Sequence, residues 1–243
     1  MQEVHGNYNS AKIFTSVVDE KSLEQIRVLC DQEFVRDSKI RMMPDVHAGA
    51  GCTIGTTMTI SDKIVPNLVG VDIGCGMLTT MIDAKTVDYN MLDNIIRKDI
   101  PYGFSVRDER HAFSYEINLN ELRCFRYINE IRAQLGLGSL GGGNHFIEVD
   151  QDDDGNLYLV IHSGSRYVGL QTANYYQELA WHTLNHNSKN DISELIAQMK
   201  QENRQKDIQK EIAKCKSTFE CKYPKELAYV ETGVHVGGLE RCS

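Results

Sequence analysis

Hydrophobic and polar positions follow two kinds of pattern along the chain. Residues 171–222 contain neither glycine nor proline, and their apolar positions recur at helical spacing. They predict one helix from Leu170 through Leu184 and another from Asp191 or Ser193 to about Lys216, divided by the polar stretch NHNSKND at 185–191. A third helix is expected over Lys21–Arg36, where Leu23, Ile26, Leu29 and Cys30 share one stripe and Asp19 or Ser22 can cap the start. A fourth is expected over Asn118–Leu135, stopping at Gly136. Residues 40–82 and 136–170 are instead rich in glycine and β-branched residues, which predicts short strands joined by tight turns. Met77–Ile82 and Leu157–Ile161 read as strands, the second leaving the DDDGN turn and leading into His162. With no internal repeat, low-complexity tract or linker, the expectation is one α+β domain over residues 1–243.

Composition narrows the class. Apolar residues at 41% and charged residues at 25% suit a globular chain, and 243 residues can bury a core without disulfides. No uncharged apolar stretch approaches the ~18 residues of a membrane span. The start, MQEVHGNYNS, has neither a basic segment nor an apolar core, so a cytoplasmic location is expected. The net charge of −8 argues against coating nucleic acid by bulk electrostatics but leaves room for a local basic groove. Residues 200–225 hold eight bases against four acids, while Glu148, Asp150, Asp152, Asp153 and Asp154 form an acidic cluster. Both runs read as solvated faces unless a ligand claims them. Seven cysteines, none in a C-x-x-C pair, read as reduced thiols with one or two in a specific role.

Four segments combine glycine with side chains that bind metals: PDVHAGAG (44–51), VGVDIGCGM (69–77), GGGNHFIE (141–148) and IHSGSR (161–166). Glycine lets a backbone N–H approach a phosphate or a metal ligand closely. Asp72 and Cys75 are three apart, so a tight turn can aim both into one site. Taken alone, Cys75 could equally be a small buried hydrophobe and His162 a hydrogen-bonded core residue. Carboxylate, thiolate and imidazole together suit Mn, Fe, Co or Zn better than Mg or Ca. No paired-cysteine zinc motif, Walker A loop, dinucleotide fingerprint or G-x-S-x-G elbow is present. His182 and His186 stand four apart on a helix and could ligate a metal but read better as a solvated helix end, and Met42-Met43 reads as core packing.

In order, MPDVHAGAGCTIG (43–55), VGVDIGCGM (69–77), GSLGGGNHFIEV (138–149) and IHSGSR (161–166) resemble the signatures of the RtcB family of RNA-splicing ligases. That resemblance implies an RtcB-like fold with glycine-rich loops around a central metal site. It also implies a GTP- and Mn²⁺-dependent ligase joining 2′,3′-cyclic phosphate or 3′-phosphate RNA ends to 5′-hydroxyl ends, as in tRNA splicing and RNA repair. Asp72, Cys75, His145 and His162 would then ligate two manganese ions, with the Cys75 thiolate shared between them. Asn144, His145, Phe146, Ile147 and Glu148 would lie against the guanylate. Asp45 and His47 match motif positions without an assigned role, and an accessory protein is an expected partner.

Some family features differ here. The loop that many relatives write GYGFPIG is GAGCTIG, with Ala50 and Cys52 in place of an aromatic pair. No H-G-A-G-type motif carries the family's nucleotide-accepting histidine, and His235, before Val236-Gly237-Gly238, does not match it. The catalytic nucleophile is therefore unassigned. The chain is expected to be the N-terminal portion of the family domain, with the C-terminal part missing. A non-catalytic metal- and RNA-end-binding remnant, or a cyclic phosphate hydrolase, is the alternative.

Overall fold

A computed structural model describes residues 2–185, 196–201, 204, 207–212 and 223–232. The predicted helix from Asp191 or Ser193 lies only partly within them, and His186, Cys215, Cys221, His235, Cys242 and most of the basic segment lie outside.

The fold is α+β, as expected. In chain order the elements are β1 (Gln2–His5), β2 (Ser10–Ile13), α1 (Glu20–Cys30), β3 (Ile40–His47), β4 (Ile54–Met58), β5 (Lys63–Ile64) and α2 (Pro66–Val69). They continue with β6 (Gly76–Ile82), α3 (Tyr89–Asp99), α4 (Glu130–Gly136), β7 (Phe146–Gln151), β8 (Leu157–Ser163), α5 (Arg166–Leu184) and β9 (Val230–Glu231). The chain divides into two compact units, 1–69 with 176–243, and 70–175.

The first unit is built on a four-stranded sheet in the order β1-β2-β3-β4. β2 and β3 are parallel, and α1 is the crossover that such a pair requires. α1 begins where Asp19 accepts a hydrogen bond from the Ser22 N–H at 2.9 Å, so Asp19 rather than Ser22 is the cap. Ser22, Ile26, Leu29 and Cys30 form its buried stripe, packing with Ala11 and Ile13 of β2 and Ile40 and Met42 of β3. The helix stops at Cys30, earlier than the expected Arg36, and Glu33–Val35 forms a separate 3-10 turn. β3 shifts register against β4 between Met42 and His47, around Pro44, which has no N–H for the ladder. β5 pairs with β9 in a second, two-stranded sheet.

The second unit carries an antiparallel three-stranded sheet in the order β6-β8-β7. β7 and β8 form a hairpin whose turn is tied by Asp152, whose side chain accepts from the N–H groups of Asp154 and Asn156 and from Tyr158 Oη. Both predicted strands are present. The continuous helix expected over Asn118–Leu135 is not. Instead there are 3-10 turns at Leu119–Glu121 and Phe125–Tyr127, followed by α4. The asparagines explain the break, since Asn118 accepts from Asn120 N–H and Asn129 accepts from Arg132 N–H, and each starts a new segment. Conversely, α5 starts at Arg166, four residues before the expected Leu170. None of the helices among the described residues is long and apolar enough to cross a membrane.

Candidate metal centre

Strand direction decides which residues meet. β8 runs antiparallel to both neighbours, so the start of β6, the start of β7 and the end of β8 share one end of the sheet. Asp72 and Cys75 lie in the turn that leads into β6, His145 immediately precedes β7, and His162 is the penultimate residue of β8. The register pairs His162 with Met77 on one side and Phe146 on the other. All these residues belong to the second unit.

Local backbone geometry completes the approach. The Cys75 N–H donates to the Asp72 carbonyl at 3.3 Å, closing a turn whose third residue, Gly74, has φ +75°. That conformation favours glycine and brings Asp72 and Cys75 to the same side. Across from it, a Cβ placed on Gly164 would lie 2.0 Å from Asp72 Oδ1. Gly164 is therefore the residue that lets β8's end come up against the carboxylate.

The donor atoms converge. Cys75 Sγ lies 2.9 Å from His162 Nε2 and 3.8 Å from His145 Nε2, and His145 Nε2 lies 2.9 Å from Asp72 Oδ2. One donor each from Cys75, His145 and His162 sits within 4.8 Å of the others. Metal–nitrogen and metal–sulfur bonds of about 2.1 and 2.3 Å set donor separations of roughly 3.1–3.6 Å around one ion, and the two sulfur–nitrogen distances bracket that range. The donor set of one thiol, two imidazoles and one carboxylate fits a borderline transition metal. The His145 side chain is 8% exposed and that of Asp72 35%, while Cys75 is exposed, so the site has a buried wall and an open mouth. Asp72, as hydrogen-bond partner and as a negative charge, holds the Cys75 thiol above its ordinary range, with burial adding to the effect.

Sequence reasoning gave no role to two neighbours. Arg166 is the one non-glycine residue with positive φ, at 54°, among the described residues. Its side chain donates from Nε to Ser139 Oγ at 3.0 Å and from a terminal nitrogen to the Gly103 carbonyl at 2.7 Å. Burial pulls this guanidinium below its usual range, while the Asp72 charge acts in the opposite direction. Met77 places its sulfur 3.2 Å from His162 Nδ1. Only the strand pairing reveals Met77, because a methionine beside a glycine run otherwise reads as packing.

The remaining candidates are spread out. Asn144 and Glu148 are exposed and Phe146 stacks on His162, with ring centres 5.3 Å apart and planes 15° apart. Strand alternation puts Phe146 and Glu148 on one face of β7 and Ile147 on the other, so the five residues 144–148 do not all present side chains to one side. Asp45 and His47 lie on β3 in the first unit, where His47 Nδ1 is 2.8 Å from the Asp45 carbonyl oxygen. His182 is 3.7 Å from Glu178 on the surface of α5. Cys30, Cys52 and Cys124 are buried, and burial pushes Cys30 up to about 11.

The sequence family described as tRNA-splicing ligase RtcB matches residues 25–125 and 125–216, most of the chain. The chain belongs to the RtcB family. The RNA-splicing ligase RtcB of Escherichia coli (strain K12) is 36% identical over 162 residues, covering 58% of this chain and 40% of that protein. The tRNA-splicing ligase RtcB of Nanoarchaeum equitans is 27% identical over 226 residues, covering 71% of this chain and 47% of that protein. An RNA-splicing ligase RtcB homolog of Entamoeba dispar is 27% identical over 205 residues and is covered to 38%. This RtcB-family chain thus spans less than half the length of these curated relatives.

Proposed function

We propose that this chain carries the metal- and RNA-end-binding part of an RtcB-type ligase. In this reading it serves a GTP- and Mn²⁺-dependent joining of 2′,3′-cyclic phosphate or 3′-phosphate ends to 5′-hydroxyl ends, in the cytoplasm. The observation that carries the reading is the convergence of Cys75, His145 and His162, with Asp72 against His145, at one end of the β6-β8-β7 sheet. Asp72, Cys75, His145 and His162 would hold two manganese ions, Cys75 as its thiolate. Metal bound there supplies Lewis-acid polarisation of a phosphate oxygen and offsets the charge of an RNA end.

The chain's own residues do the rest. The exposed sulfur of Cys75 leaves the mouth of the site open to a phosphate, while the buried imidazole of His145 anchors the floor. Asn144, His145, Phe146, Ile147 and Glu148 would take GTP. An exposed amide, an exposed carboxylate and an aromatic ring within five residues offer the hydrogen bonds and the stacking surface that a purine nucleotide uses. The domain reading of residues 1–243 as one N-terminal portion of an RtcB-like domain accompanies this proposal, as does an accessory protein partner.

The test incubates the full chain with RNA bearing a 2′,3′-cyclic phosphate and a 5′-hydroxyl end, labelled GTP and Mn²⁺. Mn²⁺-dependent retention of the RNA end, lost in Cys75→Ala, is the expected outcome, and joined RNA would show that the chain completes the ligation itself. Opening of the cyclic phosphate to a 3′-phosphate without GTP would assign the chain to hydrolysis instead. RNA ends left untouched and unbound by the wild-type chain would overturn both.

A further inference from the structure

We propose that Met77 is a positioning residue for His162: its thioether accepts a hydrogen bond from Nδ1–H and so commits Nε2 to the Cys75 side. The inference rests on the metal-centre reading above only for its consequence, because the hydrogen-bond geometry exists without a metal. Met77 and His162 are direct cross-strand partners in β6 and β8, so their side chains leave the same face of the sheet. Met77 Sδ is 3.2 Å from His162 Nδ1, while His162 Nε2 is 2.9 Å from Cys75 Sγ.

A thioether can accept but never donate, whereas a neutral imidazole carries one proton on one of its two nitrogens. A proton on Nδ1 satisfies the Met77 contact and leaves the Nε2 lone pair free to ligate. The alternative tautomer would turn two acceptors toward each other at 3.2 Å. Phe146, stacked on the ring at 5.3 Å, fixes the plane in which this choice is made. The other imidazole is held from its opposite nitrogen: Asp72 Oδ2 lies 2.9 Å from His145 Nε2, while His145 Nδ1 is buried with no hydrogen-bond partner among the described residues.

Ligating histidines usually give their second N–H to a carboxylate, a carbonyl or water, which raises ligand basicity. A thioether orients the ring in the same way but adds no charge. Met77 is 59% exposed, so changing it should leave the fold intact while altering the imidazole.

The experiment compares the full-length wild type with Met77→Leu, which keeps the shape and removes the acceptor, and Met77→Gln, which restores an acceptor through its amide oxygen. ¹⁵N NMR of the metal-free protein reads the His162 tautomer, and Co²⁺ titration followed by absorption reads affinity. Wild type and Met77→Gln are expected to hold the Nδ1–H form. Met77→Leu should give mixed tautomers and roughly tenfold weaker Co²⁺ binding, the scale on which partners behind a metal ligand act, with an unchanged melting temperature. An unchanged His162 tautomer in Met77→Leu overturns the inference. A tautomer shift in a chain that binds no Co²⁺ at all supports the positioning role and removes the metal reading instead.

Discussion

α1 and α3 begin from nearly the same instructions and end in different surroundings. Each has 11 residues, and each starts from an aspartate, Asp19 or Asp88, whose side chain accepts from the N–H three residues on. α1 buries Ile26, Leu29 and Cys30 completely, whereas α3 has no buried residue and exposes Tyr89, Met91 and Ile95. The contrast extends to strands. Ile13, Ile40 and Met42 of the first unit's sheet are fully covered, while Leu78 and Met81 of β6 are 63% and 66% exposed. Caps and apolar spacing determine that an element forms; covering its apolar face takes a packing partner, and most of the energy of burial comes with that partner.

The largest effect should separate these regions. Ile26→Ala and Leu29→Ala should each cost about 2–5 kcal/mol through lost burial and the cavity left behind, and Leu78→Ala and Ile95→Ala less than about 0.5 kcal/mol. Denaturant unfolding of the four variants measures this, and equal losses would break the comparison. Next comes Gly164→Ala, which drives a methyl group into Asp72 Oδ1. Co²⁺ affinity should fall at least about tenfold, as it does when a ligand's surroundings are disturbed, while the first unit's core stays folded. An affinity within twofold of wild type would show that Asp72 is not held by this contact.

Capping gives a smaller effect. Asn129→Ala removes the acceptor for Arg132 N–H at the start of α4 and should cost about 1 kcal/mol, readable by hydrogen exchange of α4 amides. The smallest effect concerns pH. Hydrogen bonds from Asn156, together with those from Tyr158 and the Asp154 N–H, hold the Asp152 carboxyl below its ordinary value of 3.8. A carboxyl lowered on folding contributes stability that is complete above the unfolded value and is lost as pH falls through the folded one. Melting temperature should therefore fall less between pH 5 and pH 2, by the Asp152 share, in Asp152→Asn than in wild type. Identical slopes would show that the turn draws nothing from the charge.

Local signals were readable where they did not compete. The short apolar runs Met77–Ile82 and Leu157–Ile161 form β6 and β8, and the start of α1 follows from Asp19. Asn118–Leu135 breaks up despite its apolar spacing because the side chains of Asn118 and Asn129 cap shorter segments from within. The grouping of Cys75 with His145 and His162 spans 70 and 87 residues, a separation no local spacing encodes. Their residue types suggested a metal and the family resemblance named the residues, but the common end of three antiparallel strands is what brings them together. The role of Met77 is hidden from local sequence for the same reason: its partner lies 85 residues away.

The most direct measurement is a Co²⁺ titration of the full chain, watched for the near-ultraviolet thiolate-to-cobalt charge-transfer band. The account predicts that the band grows in wild type, persists in Cys124→Ala, whose thiol is buried in the same unit, and disappears in Cys75→Ala. A band of the same intensity in Cys75→Ala, or none in wild type, would contradict it.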